Sequence, residues 1–263
     1  MHPEFHVLDK LKQEFAKLLD EAHPEQVYQS FLEKHTQFIP REFVQNHGIQ
    51  FDLVFRKLRL ASDYAPDFFY MSKSSADWNL VLIEIEKPQS KYFKEGSNEL
   101  HQDLVSAYNQ ILQWRAWFQN LNNYAGFING TLGTVREPMG YNPCHIKYVL
   151  VHGRRKELAD NAVKRNRIKA MEGDDFKIVS YDSLLEALDR KYPLYVCARK
   201  NEWVDFLSTE YVSDEVFTYF DPSMLRINDD LRKDIVDNRH NWRISSIKGG
   251  RALDYVLDKL GRC

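Results

Sequence analysis

The stretch Pro66–Lys87, PDFFYMSKSSADWNLVLIEIEK, constrains the fold more than any other part of the chain. Phe68–Met71 and Trp78–Ile85 are rich in aromatic and β-branched residues, and Lys73–Asp77 between them is polar and turn-forming, the pattern of a β-hairpin. With the turn centred near Ser75, Asp67 falls opposite Ile83 or Glu84, because antiparallel partners lie at nearly equal distances from the turn. Side chains alternate along Ile83-Glu84-Ile85-Glu86, so the two glutamates share one face, the two isoleucines enter the apolar layer, and Lys87 points away. Three carboxylates, Asp67, Glu84 and Glu86, on one patch repel each other, and a divalent cation removes the repulsion. Oxygen ligands alone favour Mg²⁺ or Mn²⁺, which keeps several waters and can offer one as a nucleophile. The plainer reading of Glu86-Lys87-Pro88 is a solvated strand end before a proline.

The rest of the chain supplies a frame for that hairpin. Apolar residues at helical spacing over residues 4–22 predict an amphipathic helix, and a second begins at His23-Pro24 with a stripe of Val27, Tyr28, Phe31 and Leu32. Glu25 lies about a quarter-turn from the centre of that stripe, which makes it either a site candidate or a first-turn carboxylate complementing the helix dipole. Alternation of Ile49, Phe51, Leu53 and Phe55 predicts a strand pairing beside Asp67. A polar loop after Pro88 carries Lys91 and Lys94, placed to meet phosphate or simply solvated. From Glu99 to Leu121 a long helix has two adjoining apolar faces, with Gln110 inside the face made by Ala107, Trp114, Trp117 and Leu121.

Residues 122–145 have loop composition, Val149–Val151 is a short buried strand, Phe176–Val179 another, and Ser183–Leu188 a helix. Adjacent Cys144 and His145 would point to opposite faces of a strand, which argues against a thiol nucleophile. Between Arg154 and Lys169 seven basic residues face only Glu157 and Asp160, a basic helix that is either solvated or contacts DNA through Arg154, Lys164, Arg165, Arg167 and Lys169. The net charge is −2, so attraction to nucleic acid must come from such a local patch or from bound metal. Three widely spaced cysteines fit neither a disulfide framework nor a C-x-x-C zinc site and suit a reducing compartment. No apolar run approaches the ~20 residues of a membrane span, so a soluble, cytoplasmic protein is expected. No Walker loop or G-x-G-x-x-G is present.

The proline-aspartate pair followed by a strand glutamate resembles the PD-(D/E)xK nuclease superfamily, whose matching residues here are Asp67 and Glu84. Four further segments resemble the Shedu family of antiphage nucleases: PEQVYQSFLEKHTQFIP as its opening helix, YNQILQW as its Gln-containing helix, then IKYVLVHGR and FKIVSYDSLLEAL. The likeness covers roughly residues 20 to 190. It implies that Asp67 and Glu84, with the Ile85 carbonyl, bind Mg²⁺ at a scissile phosphate, that Gln110 faces the catalytic strands, and that the protein forms homo-oligomers. One departure stands out: the pattern expects lysine two residues after the glutamate, where this chain has Glu86. Some superfamily nucleases carry glutamate there and still cleave.

The expected fold is α/β, a restriction-endonuclease-like core with a mixed β-sheet flanked by helices, plus a C-terminal extension. Residues 1–22 form an N-terminal helix, 23–190 the nuclease-like domain, and 191–263 an extension of unassigned role with Asp221-Pro222, Gly249-Gly250 and a terminal helix near Ala252–Leu260. The expected function is a Mg²⁺-dependent DNA endonuclease of a prokaryotic defence system, with RNA left open as substrate. The alternative is a nuclease-like DNA-binding or scaffolding module that has lost turnover through the lysine replacement.

Overall fold

The computed structural model of the protein describes residues 3–133, 135–136, 139–200, 203–208, 224–227, 229 and 233. In chain order its elements are α1 (Pro3–Asp20), α2 (Glu25–Lys34), β1 (Ile49–Arg56), β2 (Phe68–Lys73), β3 (Trp78–Ile85), α3 (Gln102–Gln119), α4 (Leu121–Ala125), β4 (Cys144–Val151), α5 (Ala162–Met171), β5 (Phe176–Val179), α6 (Tyr181–Glu186), β6 (Tyr195–Lys200), β7 (Trp203–Ser208) and β8 (Leu225–Ile227). The architecture is α/β, with one mixed sheet of eight strands in the order β5-β4-β3-β2-β1-β6-β7-β8. Among the described residues, no helix is long and apolar enough to cross a membrane. The chain divides into two compact units, one of Met1–Phe43, Val81–Trp117 and Ile146–Tyr192, the other of Val44–Leu80, Phe118–His145 and Pro193–Cys263.

The first unit is built on aromatic burial. Phe15 of α1 stacks on Phe31 of α2 with ring centroids 5.0 Å apart and meets Phe38 at 4.2 Å. Each such ring taken fully out of water contributes on the order of 2–3 kcal/mol. The second helix turns a different face inward than its apolar stripe suggests: Val27 is exposed, and Tyr28, Gln29 and Leu32 are buried. Tyr28 selects that face, because its hydroxyl donates to the Glu21 carbonyl at 2.7 Å. The parallel strands β4 and β5 pair from Tyr148↔Phe176 to Val151↔Val179.

Helix α3 starts three residues later than its pattern predicts. The backbone of Glu99 to His101 is occupied by Tyr92 to Lys94, through Lys94 N–H to the Glu99 carbonyl (2.9 Å), His101 N–H to the Tyr92 carbonyl (2.9 Å) and a bridge between Phe93 and Leu100. Leu104, Ala107, Ile111 and Trp114 of α3 are buried, but Leu121, expected on the same face, is 80% exposed. Asn120 explains this, since its side chain accepts from the N–H groups of Asn122 and Asn123 and begins a new helix at Leu121. Ser180 acts likewise on α6, accepting from Ser183 N–H, so that helix begins at Tyr181 instead of Ser183.

The second unit carries the first hairpin strand. Strand β2 ends two residues beyond Met71, and the turn closes through Ser74, whose N–H reaches the Asp77 carbonyl at 3.0 Å and whose hydroxyl donates to the Asp77 carboxylate at 2.6 Å. Strand β1 runs antiparallel to β2 with Arg56↔Phe68 and Phe55↔Phe69, and parallel to β6 with Leu53↔Tyr195. Simple alternation fails in β1: Val54 and Phe55 are both buried, and the register shifts between Ile49 and Val54 where Phe51 and Asp52 adopt positive φ. Leu53, Val54 and Phe55 are buried in succession, so both faces of β1 are covered there and the bulge interrupts the two-residue period before them.

Residues 122–145, read as a loop, hold α4 and a π-helical turn at Gly126–Thr131 that buries Phe127 and Ile128. Phe127 packs edge-on against Phe69 at 5.7 Å and Phe118 at 5.3 Å, which gives the segment its apolar anchor. Strand β4 begins at Cys144, five residues before the expected Val149. From the C-terminal part, β6 and β7 pair antiparallel and β7 and β8 parallel. The features expected at Asp221-Pro222, Gly249-Gly250 and Ala252–Leu260 lie outside the described residues.

One buried titratable group in the first unit sets a pH dependence. His152 is fully buried, its Nε2–H donates to the Lys91 carbonyl at 3.2 Å, and its ring meets Tyr92 edge-on at 4.7 Å. Burial lowers its pKa below 6.5, an effect larger than the opposing pull of that carbonyl and of Asp103 and Glu157. The unfolded chain therefore takes up this proton first as pH falls, so the stability contribution is present above 6.5 and is lost below it. His152→Phe should make the chemical-denaturation midpoint less sensitive to pH across that window than in the native chain; equal pH slopes would contradict this.

Candidate functional site

Glu84 of β3 takes a hydrogen bond from a neutral amide. Glu84 and Glu86 are half-buried while Ile83 and Ile85 are buried and Lys87 is exposed, as strand alternation requires. From α3, the side-chain amide of Gln110 donates to Glu84 Oε1 at 2.6 Å. Gln110 sits between buried Ala107 and buried Ile111 and Trp114, so the helix faces the strand with this one polar group in its apolar face. Glu86 lies one residue past β3, where its N–H donates to the Val151 carbonyl at 2.8 Å and its own carbonyl accepts from the Tyr181 hydroxyl at 2.5 Å. Tyr181 packs against Phe15 at 6.3 Å and Tyr28 at 5.9 Å, which ties the backbone of Glu86 to the aromatic cluster of α1 and α2. Glu25 is half-buried in the first turn of α2.

Asp67, in the second unit, is held differently. It directly precedes β2, its side chain is 1% exposed, and it forms an ion pair with Lys57, which is 45% exposed. The backbone completes the link, with Lys57 N–H donating to the Asp67 carbonyl at 3.0 Å. Lys57 adopts φ 47°, a left-handed conformation that costs an L residue about 1–2 kcal/mol and turns the chain just after β1. A carboxylate so thoroughly removed from water needs a charge or several hydrogen bonds nearby, and Lys57 supplies the charge.

Sequence reasoning missed Lys57. Its signal was the run Arg56-Lys57-Leu58-Arg59, the nearest cations upstream of a proline-aspartate pair expected to be buried. Arg56 and Arg59 are exposed beside it.

The basic segment is two elements, not one helix. Arg155–Glu157 forms a short 3₁₀ turn, and Asn161, accepting from Lys164 N–H at 3.0 Å, starts α5 at Ala162. Most of its charges are engaged within the first unit. Arg154 pairs with Asp182 at 2.9 Å and Asp20 at 3.0 Å, and Lys169 pairs with Glu172 at 2.9 Å. Arg165 donates to the Leu158 carbonyl at 2.9 Å, Arg167 to the Asn98 carbonyl at 2.5 Å, and the Lys164 ammonium lies 5.0 Å from the centre of the Phe93 ring. Lys94 of the preceding loop is paired with Glu99 at 2.7 Å, and Lys91 is exposed.

Cys144 receives a hydrogen bond from Arg136 at 3.0 Å, yet burial raises its pKa, so it remains a thiol, while His145 faces Asp77 at 3.5 Å. Among the described residues, no group of three or more His, Cys, Asp or Glu is gathered as a metal site. The donors that the hairpin does provide, the carboxylates of Asp67, Glu84 and Glu86 and the Ile85 carbonyl, are all oxygen, a set suited to a hard cation such as Mg²⁺ or Mn²⁺.

A family model described as "Shedu protein SduA, C-terminal" matches residues 22–185, more than half of the chain. No curated protein matches it.

The unequal exposure of Lys57 and Asp67 makes their substitutions unequal. Lys57→Met leaves a buried carboxylate without its ammonium and should cost about 1–3 kcal/mol, whereas Asp67→Asn releases an ammonium that can turn to water and should cost less. Urea unfolding of the two single variants and the double variant measures this, with the double expected to be milder than Lys57→Met alone. Greater damage from Asp67→Asn would refute the asymmetry.

Proposed function

The chain belongs to the Shedu family of antiphage defence proteins, and from that premise we propose that it is a metal-dependent DNA endonuclease hydrolysing phosphodiester bonds. The observation that carries the proposal is the 2.6 Å hydrogen bond from Gln110 to Glu84. It joins the Gln-containing helix to the strand glutamate that the PD-(D/E)xK resemblance assigns to the metal. Asp67, Glu84, the Ile85 carbonyl and Glu86 would hold Mg²⁺ or Mn²⁺, and the ion, when bound, would lower the pKa of an attacking water and offset charge on the phosphate.

The side chains divide the remaining work. Gln110 fixes the rotamer of Glu84 by donating to one carboxylate oxygen. Glu86, on a backbone pinned by Val151 and Tyr181, would accept a proton from the attacking water as a general base. Asp67 keeps its charge in a buried position because Lys57 stands against it. The lysine missing two residues after Glu84 thus has a counterpart at the other carboxylate, brought from the end of β1.

Plasmid cleavage tests the proposal. Native protein should cut in Mg²⁺ or Mn²⁺ and stop in EDTA; Asp67→Asn, Glu84→Gln and Glu86→Gln should each abolish or strongly reduce cutting. Gln110→Ala should lower turnover on the order of tenfold or more, as expected for a residue that orients another, with little change in melting temperature. Glu86→Lys should also inactivate, because an ammonium there repels the cation. Cutting that persists in chelator would sink the metal mechanism, and an inert native chain rescued by Glu86→Lys would make it a decayed nuclease.

A further inference from the structure

A cleft of about 570 Å³ opens in the second unit between the end of β1, the π-helical turn Gly126–Thr131 and the β6–β7 hairpin. Its described lining includes the cations Arg59, Arg199 and Lys200, the indole of Trp203, and no carboxylate. Arg59 is exposed, while Arg199 donates to the carbonyls of Trp203 at 2.8 Å and Thr131 at 3.3 Å, which leaves its charge on the wall as a fixed cation. Lys200 shares its charge with Asp205 at 2.9 Å. Arg226 adds a further cation, 4.4 Å from the centre of the Trp203 ring.

The opposite wall is bare backbone. A Cβ built on Gly126 or Gly130 would meet nothing within 4 Å, so both glycines border open space. The backbone is strained at Ala61, which lines the cleft with φ 51°, and at Lys57 beside it with φ 47°, conformations that L residues rarely take. Leu58 and Arg59, one and two residues past Lys57, line the cleft, so its wall continues directly from the Lys57–Asp67 pair. Two Cα steps span at most roughly 7.6 Å, about one nucleotide of an extended strand.

From this we infer that the cleft binds the sugar-phosphate backbone of a DNA strand, with Arg59 and Lys200 on phosphates and an unstacked base against Trp203. Cations along a groove give sequence-independent affinity, an indole accepts any base by its face, and open glycine backbone leaves room for a sugar. The inference extends the nuclease reading by naming where its substrate lies. It also assigns nucleic-acid contact to a surface other than α5, whose basic side chains are engaged by their own unit.

Binding is tested apart from cleavage, in EDTA, by fluorescence anisotropy of a labelled single-stranded DNA, its duplex and the corresponding RNA strand. Arg59→Ala with Lys200→Ala should weaken single-strand DNA binding and flatten its salt dependence by about 0.7 per lost phosphate contact. Trp203→Ala should weaken it roughly fivefold or more, with Trp203→Phe restoring most of the loss. Gly130→Phe, which enters open space, should block binding while leaving the melting temperature unchanged.

Native-like affinity and salt slope in the Arg59/Lys200 variant, with weakening by Lys164→Ala and Arg167→Ala, would overturn the inference in favour of α5. RNA bound through the cleft with no DNA bound would overturn DNA as the ligand. An uncut plasmid alongside cleft-dependent binding would defeat the nuclease reading and leave this inference standing.

Discussion

A carboxylate kept at 1% exposure sets the terms for the second unit. Asp67 could not be buried there as an anion without a cation, and the cation comes from the residue just past β1, the strand that pairs with β2. The antiparallel register Arg56↔Phe68 fixes how far apart the two residues can be, and the left-handed backbone at Lys57 closes the remaining gap. Register, turn and ion pair are thus one arrangement. The strain of the turn is offset by the charge it delivers.

In the first unit an amide and backbone contacts position the two carboxylates. Glu84 is only half-buried and takes an amide from Gln110, and Glu86 keeps its carboxylate half in water while its backbone is fastened at both ends. The amide of Gln110 orients the Glu84 carboxylate without adding a charge that would compete with a cation for it. Such control extends outward: the Phe15–Phe31–Phe38 cluster supports Tyr181, and Tyr181 supports Glu86. An aromatic substitution far from the chemistry can therefore act on it through a single hydroxyl.

Much of this was legible in the sequence where one local rule decided. The hairpin of residues 68–85, the strand at Phe176–Val179 and the sharing of a face by Glu84 and Glu86 follow from strand period and turn composition alone. The errors fall where a side chain or a distant backbone outvoted periodicity. Asn120 and Ser180 moved helix starts by capping, the Tyr92–Lys94 backbone held Glu99–His101 out of α3, and Tyr28 rotated α2 so that Val27 faced water. Alternation in β1 failed because a bulge interrupts its period and Leu53 to Phe55 are buried on both faces.

Charge was the least legible property, for a reason that bears on function. A run of cations in sequence, as at Arg154–Lys169, meets acceptors in the fold that lie both near and far along the chain, and these carboxylates and carbonyls take up much of what it offers. Arg59, Arg199, Lys200 and Arg226 are spread over almost the whole second unit's sequence and register nowhere as a patch. Strand pairing assembles them, since β1 lies beside β6 and β6 beside β7. With a net charge of −2 the protein can attract a polyanion only where such local excess survives folding. Surviving excess depends on how cations and carboxylates are arranged in three dimensions, so the fold and not the order of residues decides where a phosphate backbone is drawn.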